Sequence, residues 1–261
     1  MTTRNRAWGA GDDKASSTKA SGKAQEIAEN NVPSGKRVVQ LRDAEGTRSK
    51  ILDAATVEFS RLGLGGARVD AIATRAKVNK RMIYHYFGSK DNLFLVVVEN
   101  AYAGIRGGEQ QLSLDHLAPK KAIRELMTFT WNYYLKHPEF LYLVNSENLH
   151  KARHVKKSLK FKSLHTQFVK MLSDLLDRGV KEGVFRKGID PVQLHISMAS
   201  VAYYYLTNRY TGSVIYEMDL MDPVALKRRL EFNIETVLRM ICVDVSPERY
   251  RRSLSEEPIA Q

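Results

Sequence analysis

The sequence predicts an all-α protein, a three-helix head followed by a larger helical bundle. Three observations carry this. Apolar residues recur at three- and four-residue steps along most of the chain, the period of a helix. No stretch of convincing length alternates apolar with polar residues as a strand would. The boundaries carry helix punctuation: Asn79 and Ser89 stand where a side-chain oxygen can cap a helix, and Pro119, Pro191 and Pro223 suit first helical positions.

The elements follow in order. Residues 1–41 are rich in Ser, Lys, Ala, Gly and Asn, lack apolar periodicity, and read as a disordered basic arm. From Thr47 the pattern turns helical, with Ile51, Ala54, Ala55, Phe59 and Leu62 on one face and Gly63, Gly65 and Gly66 breaking the helix. A second helix carries Val69, Ile72, Ala73 and Ala76. Asn79 opens a third, from which Ile83 and Phe87 face inward and which Gly88 ends. Ser89 caps a fourth helix reaching about Ile105, followed by a loop over 107–118. Further helices are expected from Pro119 to about Lys136, after His137-Pro138, from about Val155 to Lys181, from Pro191 to near Asn208, and from Pro223 to near Val243. The predicted domains are a head over 42–107, a bundle over 108–245 and a flexible tail over 246–261.

Composition narrows the function classes. The 261 residues are 43% hydrophobic and carry a formal charge of +12, which suits a polyanionic partner. The single cysteine, Cys242, excludes an internal disulfide and lies in an apolar run, as a buried thiol would. The longest aliphatic–aromatic run, Leu93 to Val98, is far too short to span a bilayer, and a cytoplasmic location is expected. Enzyme signatures are missing. His150 and His154 lack the glutamate of a His-Glu-x-x-His zinc site, no cysteine cluster exists, and no Gly-x-Ser-x-Gly elbow appears. Neither a metal nor a cofactor is expected. The glycines at 63–66 follow a helix rather than the strand that a phosphate-binding loop requires.

The segment from Thr47 to Leu93 looks built for DNA. Ala73 and Ala76 let two helices approach across the turn, and Val78 fills the gap beneath them. The third helix then presents Lys80, Arg81, Tyr84, His85 and Tyr86, with Lys80 and Arg81 in the first turn, nearest the base edges of a major groove. A bidentate arginine–guanine contact discriminates by about 1–3 kcal/mol. Tyrosine hydroxyls more often reach phosphate oxygens. Lys90, with the Ser89 N–H, marks a phosphate seat at a helix N-terminus, and Thr47 with Arg48 marks another.

This segment resembles the DNA-binding head of the tetracycline-repressor (TetR) family. Ile51, Ala54, Ala55, Phe59, Gly63, Ile72, Ala73, Ala76, Val78, Tyr84, Tyr86, Phe87, Lys90 and Leu93 match that family's pattern. Three positions depart from it. Lys77 replaces the usual turn glycine, at a cost of about 1 kcal/mol if left-handed. Asn79 replaces a serine, and Arg68 replaces the Ser or Thr cap of the second helix, where it either reaches a phosphate or is merely exposed. In the rest of the chain His137-Pro138-Glu139 and Gly183-Val184-Phe185, together with Arg68, are similar to the branch containing the pyrimidine-utilisation repressor. The resemblance implies a homodimer, a palindromic double-stranded operator, and a small-molecule effector such as an N-heterocycle or aromatic acid.

The sequence offers two candidate dimer faces. One comprises Leu194, Met198, Val201, Ala202 and Tyr205; the other Leu226, Leu230, Ile234, Val237, Leu238 and Ile241. Candidates for an effector pocket are Trp131, Tyr134, Phe140, Asn145, Asn148, His165, Phe168, Tyr203, Tyr204 and Asn208, aromatic walls with amide and imidazole groups to orient a planar polar ligand. The resulting expectation is a ligand-responsive repressor of a catabolic or transport operon. An activator or architectural DNA binder, or a helical ligand-binding or enzymatic protein with an incidental basic head, stands as the alternative.

Overall fold

Helix α1 spans Ser34–Gly66 and buries Ile51, Ala54, Ala55 and Phe59 along one face. The structure, a computed structural model, describes residues 34–243. The helix starts inside the segment expected to be a flexible arm, because residues 36–45 contain no glycine or proline to stop it. The rest of that arm, and the tail after 243, lie outside the described residues. At Gly63 the backbone turns to φ 64, ψ 177, which shifts the register by one step. Leu64, 4% exposed, therefore enters the core, while Leu62, expected there, is 51% exposed. The Leu64 N–H freed by the kink donates to Ser146 Oγ at 3.2 Å.

Helices α2 (Val69–Ala76) and α3 (Lys80–Phe87) complete the head, burying Val69, Ile72, Ala73 and Ala76 against Ile83 and Phe87. Arg68 does not cap α2 with its side chain; instead its backbone N–H donates to Glu58 Oε1 at 3.2 Å. Lys77 is left-handed at φ 56, ψ 42, and the N–H groups of Lys77 and Val78 close the helix on Thr74 and Ala73 carbonyls. Asn79 caps α3 as expected, its Oδ1 accepting the Arg81 N–H at 2.9 Å.

Helix α4, Lys90–Gln110, is capped by Ser89 Oγ, which accepts from the Asn92 N–H at 3.0 Å. It continues past the loop expected from 107. Gly108, placed by the sequence in that loop, and Gly104 both sit under aromatic side chains of α5. A Cβ on Gly104 would lie 2.6 Å from the Tyr133 hydroxyl, and one on Gly108 would lie 2.3 Å from Phe129. These glycines let α4 approach its neighbour closely. A short 3-10 turn, Leu114–His116, leads to α5 (Pro119–Lys136) and α6 (Pro138–Leu149).

A second 3-10 turn, Val155–Lys157, precedes α7 (Leu159–Lys181), whose cap is Ser158. Helix α8 is Pro191–Thr207, α9 is Arg209–Ile215 and α10 is Pro223–Ile241. Asp190 and Asp222 accept from the first N–H groups of α8 and α10. Helices α5, α7, α8 and α10 share a core of Ile123, Leu126, Leu172, Leu175, Leu194, Val237 and Ile241. Among the described residues no strand forms beyond an isolated bridge between Phe185 and Cys242. Burial raises the Cys242 thiol above its usual pKa.

Lys77→Gly is expected to raise stability by about 1 kcal/mol, since the exposed side chain contributes a left-handed penalty that glycine removes. Thermal melting of the full chain reads this out. An unchanged or lower melting temperature would show that the turn is not strained.

Candidate DNA-reading head and effector cavity

The head presents a polar ridge opposite its core. Lys77, Asn79, Lys80, Arg81, Tyr84 and His85 are exposed there, and Tyr84 retains 44% of its surface. Their roles differ from a uniform reading row. Lys80 Nζ pairs with Asp70 Oδ1 at 2.8 Å, binding α3 to α2 across the turn, and this hydrogen bond lowers the Asp70 pKa and raises that of Lys80. Lys80 thus has an exposed ion-pair partner within the head, while Arg81 projects from the first turn of the capped helix. Tyr86, expected to be exposed, is half-buried against the head core with its ring 5.2 Å from that of His85. Periodicity alone leaves it ambiguous, since it lies beside Phe87.

Both expected phosphate seats change. Thr47 and Arg48 lie inside α1 rather than at its start, so their backbone N–H groups belong to helical bonds. What Arg48 offers is its guanidinium, 5.3 Å over the Phe87 ring. The Ser89 N–H donates to Phe87 O at 2.8 Å, leaving Lys90, first residue of α4, to mark that seat. Arg68 is exposed immediately before α2.

The ten expected effector residues do not form one pocket. Trp131, Tyr134 and Phe140 are buried in an aromatic core, Tyr134 stacked on Phe140 at 5.6 Å and Trp131 5.7 Å from Tyr205. Burial raises the Tyr134 pKa above its usual value. Asn145 accepts from the Tyr203 hydroxyl at the surface. The amides of Asn148 and Asn208 donate to Val144 O and Tyr204 O of their own helices. Tyr204 is 62% exposed and lines a groove of about 720 Å³ with Tyr205, Tyr216, Val224 and Phe232. Only Phe168, which is buried, and His165, which is exposed with its ring 5.3 Å from that of His195, border a polar interior.

That interior centres on Arg106 and Glu109, which sequence reading passed over because they follow an apolar run toward an expected loop. Arg106 Nη1 contacts Glu109 Oε2 at 2.5 Å, with side chains 7% and 3% exposed. Its Nη2 lies 3.4 Å from His195 Nε2, and its guanidinium covers the Phe168 ring at 3.9 Å. Burial pushes the Glu109 carboxyl up to about 7 despite the nearby cation. Burial, and then Arg106, push His195 down to about 3 and lower His165. The i, i+3 Arg–Glu spacing on one helix face was the available signal.

The residues of the two expected dimer faces pack largely inside the chain. Leu194, Met198, Ala202, Ile234, Val237 and Ile241 are buried within the chain itself, and Val201, Tyr205, Leu226, Leu230 and Leu238 pack against them. The outward apolar residues of the same region are Ile196, Tyr204, Val214, Ile215, Val224 and Phe232, all more than half exposed. Helix α9, unforeseen in sequence, contributes Val214 and Ile215.

Head and bundle meet through α4 and α6. Leu143 of α6 lies in the head core, and Ser146 receives the Leu64 N–H. Buried Glu147 accepts from the backbone N–H groups of His154 and Val155 and contacts His154 Nδ1 at 2.6 Å. The His154 ring in turn lies 5.2 Å from that of Phe94 on α4.

Similarity to known proteins agrees with this division. Residues 51–97 match the profile described as bacterial regulatory proteins, tetR family, and residues 119–237 match the tetracyclin repressor-like C-terminal domain. The chain is 40% identical over 201 residues to the HTH-type transcriptional repressor NicS of Pseudomonas putida, covering 77% of this chain and 95% of that protein. A match to the regulator RutR of Escherichia coli is 35% identical but spans only 84 residues, 32% of this chain and 34% of RutR. Among solved structures, a TetR family regulator from Marinobacter aquaeolei superposes with a TM-score of 0.60 at 17% identity, over 78% of this chain and all of that one. A putative regulator from Streptomyces coelicolor gives 0.58 at 23% identity, over 75% and 98%. With its three-helix head, its helical bundle and a repressor relative matched over nearly its whole length, the chain belongs to the tetR family of bacterial transcriptional regulators.

Proposed function

We propose that the protein is a homodimeric repressor whose α3 helices read a palindromic operator and whose affinity for it falls when the bundle binds a small molecule. The carrying observation is the capped α3. Asn79 fixes the helix start and Lys80 is held by Asp70, so Arg81 projects from a rigid first turn toward the major groove. Lys90 at the start of α4, Arg48, and the Tyr84 hydroxyl supply contacts for phosphates on either side. A cytoplasmic location fits this work; among the described residues no helix is long and apolar enough to cross a membrane.

The partner for the outward apolar face of α8, α9 and α10 is a second copy of the chain. Exposed apolar patches of this kind mark contact surfaces, and two copies joined there carry two heads at a fixed spacing. Joining two heads raises the effective concentration of the second at its half-site. NicS is named a repressor, and repression is the sign assigned here. The regulated operon is taken to be one for catabolism or transport of the effector, a small planar molecule.

Arg81→Ala is expected to relax sequence preference at one operator position by about 1–3 kcal/mol of discrimination. Lys90→Ala is expected to weaken binding to all sequences alike and to reduce the log–log salt slope by about 0.9. Fluorescence anisotropy on operator and scrambled DNA at several salt concentrations measures both. A Lys90→Ala protein with unchanged slope, or an Arg81→Ala protein with unchanged preference, would remove those residues from the interface.

Val214→Asp is expected to convert the dimer to a monomer at micromolar concentration and to lower operator affinity at least tenfold, with the melting profile of each copy's core retained. Sedimentation velocity with operator titration reads this out. A dimer that persists would place the contact surface elsewhere.

A further inference from the structure

A cavity of about 340 Å³ opens beside Arg106, between α4, α7 and the turn at Leu114–His116. Its deep end is the Arg106–Glu109 pair. Leu114, Leu164, Phe168 and Met171 form apolar walls, and Lys170, paired with Asp174 at 2.8 Å, stands at the rim. The volume suits a small ligand, at the lower end of ordinary ligand sites.

The guanidinium is poorly satisfied for so buried a charge. Nη1 has Glu109 and Nη2 faces His195, but Nε has no hydrogen-bond partner. A buried donor without an acceptor, on a charged group, carries a desolvation cost that a ligand acceptor relieves. Its other claimants are weak. His195 is held neutral, and Glu109 stands with a carboxyl pushed up to about 7, so near neutral pH it is a divided counter-ion. The guanidinium carbon lies 3.9 Å over the Phe168 ring centroid, so the charge is held against an aromatic face.

We propose that this cavity is the effector site and that it takes a small planar carboxylate, the carboxylate pairing with Arg106 and the ring lying between Phe168, Met171 and Leu164. The inference rests on the repressor reading above and names the chemistry of its effector. Beside the guanidinium the lining combines apolar Leu114, Leu164, Phe168 and Met171 with the carboxylates of Glu109, Asp115 and Asp174, which favours an organic monoanion over the more highly charged phosphate or sulfate. Arginine with a carboxylate forms parallel, charge-assisted hydrogen bonds, the strong class.

Entry of the ligand changes Glu109. Two carboxylates then share one guanidinium, and like charges at short range drive one of them to hold a proton. The groups facing Glu109 decide which. Arg106 on its own helix favours the anion and is now shared. Tyr133 and Tyr134 of α5 are neutral, their pKa values raised by burial. On α7, His165 has its pKa lowered by burial and Lys170 is engaged by Asp174; His195 of α8 is neutral, and Asp115 of the turn adds a further negative charge. Glu109 is therefore the group that takes the proton. Binding consumes a proton and tightens as pH falls from about 8 toward 6.

The test is calorimetric titration of the full chain with benzoate, and with benzamide as its neutral isostere, in buffers of different ionisation enthalpy. Benzoate is expected to bind at least tenfold tighter than benzamide and to take up a fraction of a proton. Arg106→Gln is expected to lose at least tenfold in benzoate affinity. Glu109→Gln, which keeps the shape of the site, is expected to keep benzoate binding and lose the proton uptake, and so tests the proposal even if Arg106→Gln fails to fold. Equal affinity for benzoate and benzamide, unchanged benzoate binding by a folded Arg106→Gln protein, or proton uptake that survives Glu109→Gln would overturn it. Operator titration of the ligand-free chain separates the two readings. Operator binding without benzoate binding overturns this site alone; benzoate binding without operator binding overturns the repressor reading alone.

Discussion

Helix α4 belongs to two interiors at once. Its first half buries Leu93, Phe94, Val97 and Val98 in the head, and its second half carries Ile105, Arg106 and Glu109 into the bundle. A helix curves gently at little cost but kinks sharply only where its hydrogen-bond ladder is disrupted, and close-packed interiors shift between discrete arrangements rather than deforming smoothly. A change at Arg106 that moves α4 therefore moves the head. Gly104 and Gly108 tighten the constraint, since the rings of Tyr133 and Phe129 sit directly on the helix backbone. The second tie is α6, where Leu143, Ser146 and Glu147 hold the head from the other side.

This arrangement gives release a physical basis. A ligand lowers operator affinity only to the extent that it binds one arrangement of the heads better than the other. Moving a population from 1:99 to 99:1 needs about 5.5 kcal/mol of differential affinity. A buried, incompletely paired guanidinium is well suited to supply it, because small displacements of a charge-assisted contact in a dry interior change its energy steeply. By linkage the operator weakens the ligand by the same factor that the ligand weakens the operator.

Most helices and several of their caps were legible in sequence because each has a local cause. Asn79 and Ser89 cap where their side chains predict, α8 and α10 start at Pro191 and Pro223 as expected, and Arg81, Tyr84 and His85 are exposed where the apolar period of Ile83 and Phe87 leaves them. What escaped was set by packing between distant elements. The Gly63 kink exchanged Leu64 for Leu62, and its freed N–H found Ser146 far along the chain. Gly108 fell in an expected loop because the ring that needs its bareness, that of Phe129, lies on α5. The aromatics Trp131, Tyr134 and Phe140 looked like pocket walls and are core, while Arg106 and Glu109 looked like ordinary helix charges and are buried. Burial of a charge is a property of the assembled bundle, which no local pattern reports. The apolar periodicity of α8 and α10 correctly marked buried faces but not which partner buries them.

The central claim, that α4 couples the Arg106 cavity to the placement of the heads, is tested most directly by a distance. Arg75 is exposed on α2, and the one native cysteine, Cys242, is buried. Spin labels on an Arg75→Cys dimer report the separation of the two heads by pulsed electron paramagnetic resonance. The expected result is one narrow separation with operator bound and a different one with benzoate bound. Identical distance distributions in the two states would contradict the coupling.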